Sequence, residues 1–427
     1  MCIQMCRIGE IMRIQQNDLI DRGFLKVNCT TINNIPIENV NISIYQTGEP
    51  TNKLEELKTN SDGQTEGIEL ETPPVELSLD ANNIIQPYSE YNILAEAEGF
   101  EPIDISGIEL LSGVESLQNI RMRPVEPNGE GSDYVIPAHT LYGEYPPKIA
   151  EEEIKPVNQS GEIVLSRVVI PEYVIVHDGT PSDSTASDYY VLYRDYIKNV
   201  ASSEIYATWP AETIRANVLA IMSFTLNRVY TEWYRNKGYD FTITSSTAFD
   251  HKWIHNRNFF EPISEVVDEI FNLYLSRPNV KQPILTQYCD GVRVSCPNWM
   301  TQWGSKDLGE QGYSAIEIIR NFYGDDMYIN TAEQISGVPI SFPGYALDIG
   351  ASGEKVRQIQ EELDRIAQVY TTIPRIQADG IFGEATKAAV REFQKIFDLP
   401  QTGIIDFRTW YKISQIYVGI TRIAELS

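Results

Sequence analysis

Glu204 is the residue of this sequence whose surroundings best fit acid–base chemistry. Ahead of it, Tyr193, Tyr196 or Ile197, and Val200 recur at three- and four-residue steps, which predicts a helix with one buried stripe. Glu204 follows Val200 by four residues, on that same stripe. A carboxylic acid at the C-terminal end of a half-buried helix is disfavoured as an anion twice over. Burial raises its pKa, and the negative end of the helix dipole pushes the same way. That keeps a general acid protonated near neutral pH. The same pattern also fits a surface glutamate at a frayed helix end, and periodicity does not separate the two. Asp250 offers a second carboxylate at a distance the sequence does not fix. His251 and His255 are four apart and would share a helix face, as zinc ligands often do. Lys252, however, stands where a zinc protease carries its glutamate. Cys289 and Cys296 bracket a turn-like segment and are open to three readings: a disulfide, half a metal site, or two free thiols. A full zinc site needs four ligands, so no metal and no cofactor are expected. Cys2, Cys6 and Cys29 have no matching histidines and read as incidental.

The elements that must position these groups fall in sequence order, and a multidomain α+β chain is expected. After an N-terminal segment (1–22), residues 23–124 alternate apolar and polar in Leu25-Val27-Cys29, Val40-Ile42-Ile44 and Tyr91-Ile93-Ala95-Ala97. Asp62-Gly63 and Gly99 punctuate them. About seven short strands in such a stretch predict a β-sandwich. Its motifs resemble the regulatory sandwich domains attached to carboxypeptidases and surface adhesins, and no catalytic constellation lies in it. Residues 125–167 hold Pro127, Gly129, Gly131, Pro137, Pro146, Pro147 and Pro156, which predicts a linker open to proteases. At its end Arg167-Val168 places a basic residue before an apolar run.

A central mixed α/β domain (168–338) opens with the strand 170–178. The helix carrying Glu204 and a second helix follow it. Pro210 begins that second helix, which buries Ile214, Val218, Ile221 or Met222, Thr225 and Val229. Glu204 thus sits at a helix-to-helix corner beside Tyr206 and Trp209, and aromatic faces at a corner suit a bound sugar. Residues 263–275 predict another amphipathic helix. In the last region (339–427) Val356, Ile359, Leu363 and Ile366 line one helix and Ala389, Val390, Phe393 and Phe397 another, with Asp379-Gly380 and Thr402-Gly403 turns between short helices.

The chain has 427 residues, 42% hydrophobic and 22% charged, with 60 acidic against 34 basic side chains and a formal charge of -26. That balance argues against nucleic acid and anionic membrane as partners and is compatible with a weakly charged polymer such as a glycan. No stretch approaches the roughly 20 apolar residues of a membrane helix. Arg7, Glu10, Arg13 and Asp18 interrupt the N-terminus, so no secretory signal is recognised there; Met12 is an alternative start.

Gly353-Glu354-Lys355-Val356, Ile359-Gln360, Asp379-Gly380-Ile381-Phe382-Gly383, Phe393-Gln394 and Thr409-Trp410 together resemble the small three-helix peptidoglycan-binding domain of cell-wall hydrolases. Val200 to Glu204, Trp209-Pro210, Glu212, Arg215-Ala216, Thr286-Gln287-Tyr288, Gly291, Arg293 and Met300 to Ser305 resemble the stage II sporulation protein D family of lytic transglycosylases. There are departures from that family. Met222-Ser223-Phe224 replaces its usual alanine-arginine-threonine run, and Cys296-Pro297-Asn298 its glycine-histidine-glycine. The whole order of segments, with IPEYVIVHDG (170–179) and NVASSEIYATWP (199–210), resembles the clostridial spore cortex-lytic enzyme family.

That resemblance implies a zymogen lying in the spore cortex or coat, outside the core. Germination would activate it through a subtilisin-like protease, with Arg167-Val168 as the expected cut. Its substrate would be cortex peptidoglycan. Glu204 would be the catalytic acid, with Arg215, Tyr288, Arg293, Trp209 and Gln302 as substrate-binding candidates. Trp209 also fits a core role and Arg215 an exposed helix charge. Two other readings stand beside it: a non-catalytic wall-binding protein of the amidase-enhancer type, and a hydrolytic muramidase using Glu204 with Asp250 and water.

Overall fold

The alternating N-terminal segments form two packed sheets in the computed structural model, which describes residues 20–126, 131–156, 165–339 and 341–421. Cys2, Cys6 and Met12 lie outside the described residues. The strands are β1 (Asp21–Thr31), β2 (Asn41–Gln46), β3 (Lys53–Lys58), β4 (Ile68–Thr72), β5 (Ser89–Glu96), β6 (Ile103–Leu110), β7 (Glu115–Met122) and β8 (Ser132–Val135). One sheet orders β7-β1-β4 and the other β3-β2-β5-β6-β8. Leu25, Val27 and Cys29 meet Val40, Ile42, Ile44, Ile93 and Ala95 between them, all without solvent exposure. Gly63, at φ +74°, turns the chain where a side chain would meet the Cys29 carbonyl oxygen at 2.4 Å.

Two features depart from an independent sandwich followed by a loose linker. Phe259–Phe260 of the central region pairs antiparallel with β7, so the first sheet continues into the next domain. Beside that joint, Arg257 Nη2 lies 2.9 Å from Glu109 Oε2, both buried, and Asn258 donates to the Glu109 carbonyl at 2.9 Å. The proline-rich segment is also not a free tether. β8 pairs in parallel with β6, and residues 136–156 run on across the central region. Proline removes regular pairing but leaves an extended chain, and an extended chain can lie in a groove.

The centre is mixed α/β. Helix Tyr193–Glu204 ends at the corner, and helix Ala211–Tyr230 starts directly after Pro210 and is buried almost all round, as a helix apolar on every side must be. Helix Glu261–Ile270 is shorter than its sequence pattern predicts. Leu273 and Leu275 continue at the two-residue step of a strand, and Leu273–Ser276 pairs with Tyr328–Thr331. His251 and His255 do not share a helix face, because residues 251–254 form no helix.

The C-terminal module has helices Glu354–Ile366, Glu384–Ile396 and Phe407–Thr421. A buried glutamine anchors each of its turns. Gln360 Oε1 accepts the Gly380 N–H at 2.8 Å, and Gln394 Oε1 accepts the Gly403 N–H at 2.7 Å. Both glycines hold positive φ, the conformation that costs them nothing. Phe271 packs on Phe407 and Tyr411, which joins the module to the central core. Arg194 adds a bond to the Tyr411 carbonyl at 3.1 Å.

Candidate active site

Glu204 is the last residue of its helix and only 2% exposed. It is buried because Val200, Ile197 and Tyr196 on its stripe are buried too. Its carboxylate has two close donors: the Lys252 N–H at 2.7 Å on Oε1 and the Tyr288 hydroxyl on Oε2. Gln302 Nε2 donates to the Glu204 backbone carbonyl at 2.8 Å, fixing the end of the helix. Burial pushes the Glu204 pKa up. Lys148, the Lys252 N–H and Tyr288 oppose that without reversing it. Burial and the Glu204 charge hold the Tyr288 phenol far above its usual range, so it stays a donor. His251, stacked parallel to Tyr288 and 3.0 Å from the Tyr196 hydroxyl, is kept neutral by burial and by Lys148.

Lys148 comes from the proline-rich segment. Its ammonium lies 5.0 Å from the Tyr288 ring centre and 5.4 Å from that of Phe224, and it donates to the Asp250 carbonyl. Around it the segment forms a strap. The Thr140 N–H donates to the Ser203 carbonyl at 3.2 Å, beside Glu204. His139 stacks on Tyr206 with ring centres 4.6 Å apart. Beyond Lys148, Ile149 and Glu151 bind both ends of the Gln287 side chain, and the Glu151 carboxylate reaches Arg228 at 2.6 Å. The strap is therefore held against the end of the Glu204 helix, against Gln287 and against Arg228. Nothing in the sequence pattern singled out Lys148 or the Lys252 backbone: one lies between prolines and a loop, the other acts through an N–H that every non-proline residue has.

The remaining candidates divide. Tyr288 and Gln302 are at the site. Trp209 is 3% exposed and packs 5.0 Å from Trp303, while its indole N–H donates to the Ser78 carbonyl of the sandwich at 3.0 Å. Arg293 lies in a loop whose Asp290 carboxylate accepts three backbone N–H groups, and its charge acts on His139, Tyr145 and Tyr206. The Cys289–Cys296 disulfide closes that loop, which decides among the three readings of the pair. Arg215 is not brought to the site: it projects from the next helix onto Glu269 at 2.6 Å and Glu212 at 3.6 Å. Asp250 is committed elsewhere, to Arg228 at 2.7 Å, Tyr234 at 2.6 Å and Thr244. Arg167 is exposed and Val168 buried, next to the paired strands Val169–Ile170 and Gln334–Ile335. Among the described residues no cluster of metal ligands occurs.

The sign of the Glu204 shift gives a pH expectation. A carboxyl group with a raised folded pKa stabilises the fold least when ionised. Its contribution is present in acid and falls as pH rises from the unfolded value through the folded one. Chemistry that needs the protonated acid should fall over the same upper range. Lys148→Met in the full chain removes an opposing cation, so the Glu204 carboxyl should titrate still higher. A carbon-13 NMR titration of the glutamate carboxyls reads this; an unchanged or lowered value would show that Lys148 does not act on Glu204.

Residues 352–413 match the family model described as a putative peptidoglycan binding domain. A zinc D-Ala-D-Ala carboxypeptidase of Streptomyces albus G is 44% identical over 70 residues, 16% of this chain and 26% of that protein. The chain therefore spans about a quarter of the length of that curated relative. Among solved structures, the SleB N-terminal domain aligns at 31% identity over 18% of this chain and 99% of its own, with a TM-score of 0.16. The minor pilin GBS52 of Streptococcus agalactiae aligns at 11% identity over 28% of this chain and 50% of its own, with a TM-score of 0.17. The chain carries a peptidoglycan-binding domain, and no helix among the described residues is long and apolar enough to cross a membrane.

Proposed function

We propose that this chain is a peptidoglycan lytic transglycosylase held latent by its strap. The observation that carries the reading is Glu204: one buried carboxyl, biased toward its protonated form and bonded to Tyr288. The nearby Asp250 is committed to Arg228. Ordinary glycosidases need two carboxylates flanking the bond. A transglycosylase needs one, because the nucleophile belongs to the substrate. Glu204 gives its proton to the glycosidic oxygen between N-acetylmuramic acid and N-acetylglucosamine as that bond breaks. The carboxylate then takes the proton of the muramyl C6 hydroxyl, whose oxygen closes a 1,6-anhydro bond. Tyr288 and the Lys252 N–H stabilise the transient anion.

In this form the chain cannot turn over polymer, since Lys148 and its neighbours occupy the approach to Glu204. Cleavage on the C-terminal side of the strap, at the exposed Arg167, leaves the strap covalently attached only to the sandwich, so its release also requires its bonds to Ser203, Gln287 and Arg228 and the pairing of β7 with Phe259–Phe260 to break. The matched wall-binding domain and the likeness of the sequence to spore cortex-lytic enzymes support a location in the spore cortex or coat, and a subtilisin-like germination protease is the proposed activator.

Mass spectrometry of digested cortex tests the chemistry. Activated protein should leave 1,6-anhydro ends. Reducing ends would instead establish a hydrolase, and intact glycan a binding protein. A protease site placed between Ser166 and Val168 should raise activity at least tenfold on cutting; equal activity before and after would refute latency.

A further inference from the structure

Three parts of the chain meet around one cleft of about 470 Å³, a volume in the range that small organic molecules fill. Residues of β1 and β7 line it from the sandwich, the first half of helix Tyr193–Glu204 from the centre, and helix Phe407–Thr421 from the C-terminal module. Where these helices face each other, four cations (Arg121, Arg194, Lys198 and Lys412) stand with two carboxylates, Asp195 and Asp268. That local surplus of positive charge runs against a chain whose formal charge is -26. Other acidic groups on the cleft are engaged elsewhere. Asp398 pairs with Lys26 at 2.5 Å, Glu261 answers to the same lysine, and Thr372 donates to Asp62 at 2.5 Å.

The two carboxylates of the cluster are already shared. Lys198 Nζ lies 2.6 Å and Arg194 Nη1 3.3 Å from the Asp268 carboxylate, and Arg121 lies 3.9 Å from Asp195. Lys412 has no carboxylate within 4.0 Å among the described residues, and its ammonium lies 5.8 Å from the Phe397 ring centre. Burial, with repulsion by Lys198 and Arg194, pushes the Lys412 pKa down to about 8 against the pull of Asp268 and Asp195. Two hydroxyls on the same cleft are also left without a hydrogen-bond partner among the described residues. Tyr193, next to Arg194 in its helix, is 2% exposed, and Ser264, one turn before Asp268, is 7% exposed. A buried hydroxyl without a bond is costly, and an anion would accept from it while offsetting the surplus cations.

We propose that this cleft is a binding site for a small organic carboxylate, whose charge meets Lys412 and Lys198 and whose body lies against Tyr190. Tyr190 lines the same cleft and is 73% exposed, so an apolar body has a ring to cover. Lys198 uses one of its three N–H donors on Asp268, and Lys412 keeps all of its own for the ligand. A carboxylate held there joins the helix that carries Arg194 and Lys198 to the helix that carries Lys412. It therefore stabilises the seating of the C-terminal module on the central region, by an amount that grows with ligand concentration. The inference stands apart from the chemistry proposed for Glu204.

Thermal unfolding of the full, uncut chain with benzoate, against its neutral counterpart benzamide at matched ionic strength, tests it. Benzoate should raise the melting temperature along a saturating curve, and benzamide should not. Carbon-13 NMR of the lysine side chains gives a second readout: bound benzoate should raise the Lys412 pKa, because an anion favours the charged ammonium. Lys412→Met should weaken benzoate binding at least tenfold, while Lys412→Arg, which keeps the charge, should retain it should the methionine variant melt early. Lys395→Met, at a lysine of the same module whose side chain is 61% exposed, should leave binding unchanged. A response to benzamide equal to that to benzoate, no saturable response to benzoate, or equal binding by Lys412→Met would overturn the proposal and leave the chemistry of Glu204 untouched.

Discussion

Glu204→Gln should lower glycan cleavage by the activated protein by about 100- to 10,000-fold, the range usual for a lost general acid. Glutamine keeps the size of the side chain, and its amide oxygen can still accept the Lys252 N–H that now meets Oε1. It cannot give or take the proton. Stability should stay level or rise slightly, because the buried group no longer bears the cost of ionising. The pair of measurements matters: a loss of activity with an unchanged melt assigns chemistry, whereas a matching loss of both would make Glu204 a structural residue. Retention of full activity would sink the assignment outright.

The second large effect is expected at Asp250, and it is of the opposite kind. Asp250 and Arg228 have fully buried side chains 2.7 Å apart. Asp250 also accepts from the Tyr234 hydroxyl at 2.6 Å and the Thr244 N–H at 2.9 Å. Asp250→Ala leaves a buried guanidinium short of one partner and strands those donors. Breaking one side of a buried pair costs about 3–5 kcal/mol, so denaturant unfolding should show a loss of that order. Part of the Arg228 charge stays matched by Glu151 of the strap, so the loss should be greater once the strap is gone. The hydrolase reading predicts something else: Asp250→Asn would abolish cleavage with the fold intact.

The strap also explains why a proline-rich stretch reads so differently in sequence and in space. Its residues have no period, and Pro146 and Pro147 forbid a regular element. Such a segment reads as a tether. What gives it a place is the groove beside residues 282–290, where Gln282 accepts the Lys155 N–H at 2.7 Å and the Leu285 N–H reaches the Glu153 carbonyl at 2.9 Å. Those partners lie more than a hundred residues downstream, and no local rule connects them.

Where burial repeats with the period of an element, the order of residues was sufficient. It determined the alternating strands of the sandwich, the apolar stripe that ends at Glu204 and the turn glycines of the C-terminal module. Each of these depends on neighbours a few positions away, so the pattern is written locally. The company of Glu204 was decided only in three dimensions. Tyr288 arrives from 84 positions downstream and Lys148 from 56 upstream, while Arg215, eleven positions away, turns out to Glu269. A helix rotates about 100° per residue, so nearness along the chain says little about which way a charge points. Electrostatic partners are chosen by packing between elements. The apolar stripe that ends at Glu204 was legible in the sequence, and the groups that surround its carboxylate belong to the fold.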